Sequence, residues 1–218
     1  MKNYLISAIL VCMTALFVSC GGQVGSLFGG NPTDKAASYT KAIELVKANT
    51  DLNKFKIYSI KFVEGDPTSN DMQYVTLQMV SPDNLAFTQT FYLNGHIGDL
   101  TKDLASGSYV LDYEKINGID PAKIDPSVIE KQCAEVQQLI PEGHTYKSIG
   151  RYHIKEILPA KNPVMNRSRN VGARETAFDV RFTEDGKETE VNAGKVTNIY
   201  YEAKVDVNAD GTLSVKED

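Results

Sequence analysis

Asp206-x-Asn208-x-Asp210-Gly211, closed by Glu217, spaces oxygen donors as a calcium-binding loop does. A hard cation gives up its hydration shell only to a dense set of oxygens. Asp206, Asn208, Asp210, the Thr212 carbonyl and a bidentate Glu217 would supply them, with Ser214 holding a water and Gly211 making the sharp turn. Such a loop needs a helix on each side. Here the entering segment, Val196–Val207, is rich in β-branched residues and tyrosine, and one residue follows Glu217. Asn208-Ala209-Asp210-Gly211 equally suits the tip of a hairpin, with Val205 and Val207 facing Leu213 and Val215. Turn chemistry alone accounts for the Asn, Asp and Gly. The hairpin is the expected element, and no cofactor is expected unless calcium sits at its tip.

A second candidate lies in residues 159–175, a long segment holding Lys161, Arg167, Arg169 and Arg174 in an otherwise acidic chain. Loops of this length are functional or mobile. Arg167, Arg169 and Arg174 would meet an anionic partner, a glycan or lipid headgroups; a solvated insertion is the simpler reading.

Groups arranged for catalysis are missing from the linear sequence. His96, His144 and His153 are far apart, and there is no His-x-x-x-His, Cys-x-x-Cys, Gly-x-Ser-x-Gly or phosphate-loop pattern. Sites assemble in space, so a dispersed one is not excluded by spacing. Cys133 falls on an apolar helical stripe and is expected to be an inert core thiol. Asp112 and Glu114 read as surface charges. Eleven tyrosines and no tryptophan suit strands as well as interfaces.

The composition is ordinary for a globular chain: 218 residues, 42% hydrophobic, 23% charged, net charge -5. That balance argues against a general nucleic-acid binder. Three cysteines cannot form a disulfide scaffold.

The amino terminus is more specific. Lys2 precedes an apolar run from Leu5 to Val18, too short for a membrane-spanning helix, and the run ends in Phe17-Val18-Ser19-Cys20-Gly21-Gly22. This resembles a bacterial lipoprotein signal with its lipobox, with Phe17 where leucine is usual. The resemblance implies cleavage before Cys20 and acylation of that residue. Residues 1–19 would be the signal, removing Cys12, and 20–33 a lipidated, glycine-rich tether. Gly21 with no following acidic cluster suggests outer-membrane sorting and a periplasm-facing domain, with surface export as the alternative. The membrane would then be contacted through the N-terminal lipid.

Two similar runs of elements follow. A helix over 34–49, capped by Thr33 or Asp34, places Tyr39, Ala42, Ile43 and Val46 on one face. Strands are expected over Lys56–Glu64, Met72–Val80 and Leu85–Leu93, the last with Leu85, Phe87, Phe91 and Leu93 on one face. Residues 97–124 connect to a second helix over 126–140, with Asp125 as cap, Pro126 at its first position and Ile129, Cys133, Val136 and Ile140 on one stripe. Strands follow at Tyr146–Leu158, at Ala177–Thr183 and Lys187–Val191 around an Asp185-Gly186 turn, and at Val196–Val207 and Thr212–Lys216. Ile60-Lys61-Phe62-Val63-Glu64 aligns with Tyr152-His153-Ile154-Lys155-Glu156, so the halves 34–96 and 125–218 read as repeats.

The expected fold is α+β: two helix-plus-antiparallel-meander repeats, with helices packed on sheet. It weakly resembles duplicated PepSY-like and β-lactamase-inhibitor-like periplasmic folds, with cystatin-like or NTF2-like halves as alternatives. The expected role is non-enzymatic binding of a protein or envelope polymer, through two sheets, a cleft between the repeats, or the 159–175 loop. The competing class is an accessory in polymer or small-molecule processing, or a hydrolase with a dispersed site.

Overall fold

The computed structural model describes residues 30–103, 107, 109–192 and 195–215. The expected signal, Cys12, Cys20, most of the expected tether and Glu217 lie outside them.

Helix α1 (Ala36–Asn49) buries Tyr39, Ala42, Ile43 and Val46, as their spacing predicts. Its capping differs from expectation. Lys35 occupies the cap position without a side-chain hydrogen bond. Thr33 is engaged elsewhere: its Oγ1 donates to Asn70 Oδ1 (2.6 Å) and accepts from the Ile149 amide (2.9 Å). The first helical amide, Ala36, instead donates to Glu130 of the other helix at 3.0 Å, so a helix start is satisfied by its neighbour. Helix α2 (Pro126–Gln137) starts as the sequence dictates, with Asp125 accepting from the Ser127 amide and Pro126 in the first turn.

The strands are β1 (Lys56–Glu64), β2 (Met72–Val80), β3 (Ala86–Tyr92), β4 (Thr101–Lys102), β5 (His144–Glu156), β6 (Arg174–Glu184), β7 (Thr189–Asn192), β8 (Lys195–Asn198), β9 (Tyr201–Val207) and β10 (Leu213–Val215). Eight of them form one antiparallel sheet in the order β10-β9-β6-β5-β1-β2-β3-β4; β7 and β8 pair separately. The two expected sheets are therefore one, joined where β1 pairs with β5, so the halves meet there as paired strands rather than across the expected cleft.

The Asp185-Gly186 turn does not join two paired strands. Gly186 takes φ +77°, but the chain then runs into the β7–β8 excursion, and β6 takes β9 as its neighbour. The continuous strand expected over Val196–Val207 is accordingly broken between β8 and β9. The terminal hairpin has the expected register, with Leu213 opposite Val207 and Val215 opposite Val205.

Both helices cover one sheet face. Their apolar stripes pack on Ile60, Phe62, Val75, Leu77, Met79, Phe91, Tyr152, Ile154, Phe178 and Val180. Phe91 and Leu93 join this core and Phe87 packs against it, but Leu85 lies one residue before β3 and is exposed. Alternation puts polar residues on the opposite face: Lys61 and Ser59 on β1, Thr76 and Gln78 on β2, Thr88 and Thr90 on β3, and Arg151, His153 and Lys155 on β5. A bulge between Ile57 and Ser59 gives Tyr58 to a smaller apolar cluster with Val80, Ile116 and Leu158. Leu111 and Tyr113 of the connecting segment pack against that cluster.

Candidate functional site

The seam between β1 and β5 sets the candidate site. Lys61 stands directly opposite His153, and Ser59 opposite Lys155. Two connecting segments rise beside them. Tyr109 bridges to Ala160, and the Val110 amide donates to the Pro159 carbonyl at 2.8 Å, tying the connecting segment to the 159–175 loop. That loop is built rather than loose. Asn166 accepts from the Ala160 amide (2.7 Å) and donates to the Ala160 carbonyl (3.0 Å), and Gly172 and Ala173 bond the backbone of Ile157.

Between these parts lies a cavity of about 220 Å³, whose walls include Tyr58, Ser59, Lys61, Tyr109, His153, Lys155, Arg169 and Glu175. Ser59 Oγ and His153 Nε2 are 2.9 Å apart. Burial pushes the His153 imidazole down to about 3, reinforced by the positive charges of Lys61, Lys155, Arg151 and Lys204, so the ring is neutral at physiological pH. Burial, with Arg151 and Lys155 nearby, also lowers the Lys61 pKa, against the pull of Asp103. Lys155 pairs with Glu175 at 3.0 Å and Arg151 with Asp179 at 2.7 Å. Arg169 lies over the Tyr109 ring, 5.4 Å from its centroid. Two polar atoms of wall residues are themselves buried and find no hydrogen-bond partner among the described residues: the Tyr58 hydroxyl, on a residue 6% exposed, and Arg169 Nε.

Of the three arginines singled out in the loop, the structure brings only Arg169 to this cavity; Arg167 and Arg174 are exposed and lie outside its walls. No family model, curated protein or solved structure matches this chain.

The C-terminal oxygens are arranged for a turn. Asp210 Oδ1 accepts from the Thr212 amide (3.0 Å) and hydroxyl (2.7 Å), Asn208 Nδ2 donates to Thr212 Oγ1 (3.0 Å), and Gly211 takes φ +86°. Asp206 is a strand residue opposite Ser214. Among the described residues no three His, Cys, Asp or Glu side chains converge as a metal site. Cys133 is fully buried, its pKa pushed up to about 12 by burial and then by the charge of Asp34.

The remaining histidines are not brought together. His96 packs on Tyr92, and His144 on Phe182 and Tyr201. The Ser59–His153 contact was not readable from spacing, because 94 residues separate the pair. Its only linear trace is the alignment that puts Lys61 and His153 at equivalent places. Another pair shares that property: Glu64 and Glu156 end β1 and β5, and both are buried. Glu64 accepts from the Asn70 amide (2.6 Å), Ser148 Oγ (2.9 Å) and Arg181 Nη1 (2.6 Å). Glu156 accepts from the amides of Asn117 (3.0 Å) and Gly118 (2.8 Å). These saturated carboxylates fasten loops to strands, which is a structural task.

Proposed function

We propose that this chain is a lipid-anchored, periplasm-facing protein of the outer membrane with a non-enzymatic binding role, its uncovered sheet face being the binding surface. The observation that carries the reading is the face itself. Both helices pack on the other side, while this one presents a small cavity walled in part by Ser59, Lys61, His153 and Lys155. The lipobox-like Phe17-Val18-Ser19-Cys20 supports the anchor. Among the described residues no helix is long and apolar enough to cross a membrane.

The hydrolase alternative would have to use Ser59 and His153. Ser59 is 3% exposed on a central strand, and ladders to β2 and β5 occupy the surrounding backbone amides. An attacking hydroxyl needs room for a tetrahedral carbon and free donors for its oxyanion. Ser59 borders the cavity, but a paired central strand does not present its amides as an oxyanion hole does, so the pair serves better as a hydrogen-bonded wall.

We also propose that the two halves are a duplication. Each half runs outward from the β1–β5 seam after a preceding helix, α1 before β1 and α2 before β5, which supports the two-repeat reading of the sequence.

Labelled palmitate fed to expressing cells tests the anchor: incorporation lost in Cys20→Ala supports it, and equal labelling of both refutes it. Crosslinking in the native envelope tests the role. A defined partner crosslinked from positions on β2 and β3 of the uncovered face supports binding, while turnover of envelope polymers by the purified chain overturns it.

A further inference from the structure

We propose that the loops at the end of the sheet far from Asn31 dock an aliphatic, acid-flanked segment of a partner protein. The proposal rests on the reading of the chain as an anchored binding protein and adds where the partner sits and what it presents.

The two ends of the strands differ. The chain enters the fold at Asn31, whose amide donates to Asp71 Oδ1 and whose carbonyl accepts from the Met72 amide, both at 2.7 Å. Met72 opens β2 opposite Glu64, the last residue of β1. The connecting segment and the 159–175 loop stand at the other end. The Ile119 amide donates to the Ile57 carbonyl near the start of β1, and residues 157–173 join the end of β5 to the start of β6. The nine residues of β1 put roughly 30 Å between the two ends. With the lipid attached beyond Asn31, the loops are presented away from the leaflet that holds it.

That far end is apolar at its surface. Val164 is 63% exposed, Met165 56%, Val171 45% and Val110 42%. Val110 and Val171 share with Leu158, Pro159 and Pro163 the walls of a cavity of about 450 Å³. Single apolar residues are ordinary on a surface, whereas a contiguous group around a cavity marks an interaction site. The Asn166 bonds to Ala160 hold the loop in this shape before anything binds. Leu158 also walls the seam cavity, which joins this surface to the uncovered sheet face.

Charge selects the flanks of the occupant. Residues 157–174 hold Lys161, Arg167, Arg169 and Arg174 and no Asp or Glu. The acids in the cavity wall are already engaged: Asp112 pairs with Lys115 at 2.7 Å, and Glu156 accepts from the amides of Asn117 and Gly118. Lys161 and Arg167 are exposed and form no ion pair with a described residue. A partner that seats aliphatic side chains in the cavity meets this positive rim, and Asp or Glu beside them complements it.

The test places the photocrosslinker p-benzoylphenylalanine at Val164 of the full chain in its native envelope, with a control at Asn94, which lies beside Asn31 at the opposite end. A protein adduct from Val164 and not from Asn94 is expected, and mass spectrometry of the crosslinked peptide should find an aliphatic residue with neighbouring Asp or Glu. Arg167→Glu and Val171→Asp change exposed positions, so the urea midpoint should stay in place while each cuts the adduct yield at least about tenfold. An adduct with lipid alone, an adduct with a segment lacking acids, no adduct, or a yield moved by neither variant overturns the proposal. If a partner crosslinks from β2 and β3 but not from Val164, the binding role stands and this surface falls. If no partner crosslinks from any of these positions, both fall.

Discussion

Replacing Glu64 by glutamine tests what holds the two halves of the sheet in place. The Glu64 side chain is wholly buried, and its two oxygens accept from the Asn70 and Thr68 amides, the Ser148 hydroxyl and Arg181 Nη1. Thr68 and Asn70 adopt φ +67° and +51° in the turn around it, conformations that cost energy and persist where the surroundings over-determine them. A glutamine keeps one acceptor oxygen. With its NH2 group in one orientation it confronts the Asn70 amide; in the other it confronts Arg181 and the Thr68 amide. Breaking a buried ion pair by removing one partner costs about 3–5 kcal/mol. Arg181 retains Glu202 at 2.8 Å, which puts the expected loss near the lower bound, about 3 kcal/mol. Urea unfolding at pH 7 with an unchanged slope would read this directly, and the thermal midpoint should drop by roughly 6–12 °C. The double variant Glu64→Leu/Arg181→Met removes both charges and should recover part of the loss. A loss below about 1 kcal/mol for Glu64→Gln would refute the reasoning, because it would mean that the carboxylate is replaceable within its cradle.

Below about pH 6.5 the unfolded chain protonates His153 while the folded ring, held down to about 3, stays neutral. The unfolded state then binds more protons, so this residue's contribution to stability falls as pH drops from about 6.5 towards 3, by on the order of 2 kcal/mol once solvent screening is allowed for. His153→Gln should flatten that part of the pH–stability profile, and an unchanged acid slope would count against it. Cys133, with its thiol pushed up to about 12 and fully buried, should resist a thiol reagent at pH 8 and react on unfolding; rapid labelling of the folded chain would contradict the burial. Tyr152→Phe leaves buried Gln132 without the hydroxyl that donates to its Oε1 at 2.5 Å, while the stack on Phe178 survives. A loss of about 1–3 kcal/mol in urea unfolding is expected, and no loss would show that Gln132 finds another partner.

What the sequence revealed divides along the range of the interactions involved. The Asp125-Pro126 start of α2 and the Val205/Val207–Leu213/Val215 register were readable because each is fixed by residues a few positions apart. The α1 cap was not, because its donor is satisfied by Glu130, 94 residues away. Asp185-Gly186 does make a turn, but pairing is decided elsewhere: β9 offers β6 seven paired positions, and β7 is left to β8. The candidate site was the least legible part. Arg169 was singled out for its charge in the 159–175 loop, yet nothing local distinguishes it from Arg167 or Arg174; the Asn166 staple and the contact with Tyr109 do that. Ser59, Lys61 and His153 meet only because β1 and β5 pair.

The two ends of the large sheet bear on how the protein behaves at high concentration. β4 covers only Phe87 and Thr88 of β3, and β10 covers only Val205–Val207 of β9. Long, regular outer strands would template stacking of one copy on the next. Here the outermost strands span two residues in β4 and, among the described residues, three in β10, and the stretch of β9 beyond β10 carries Glu202 and Lys204. Eight strands are thereby presented as one broad sheet without inviting edge-to-edge polymerisation.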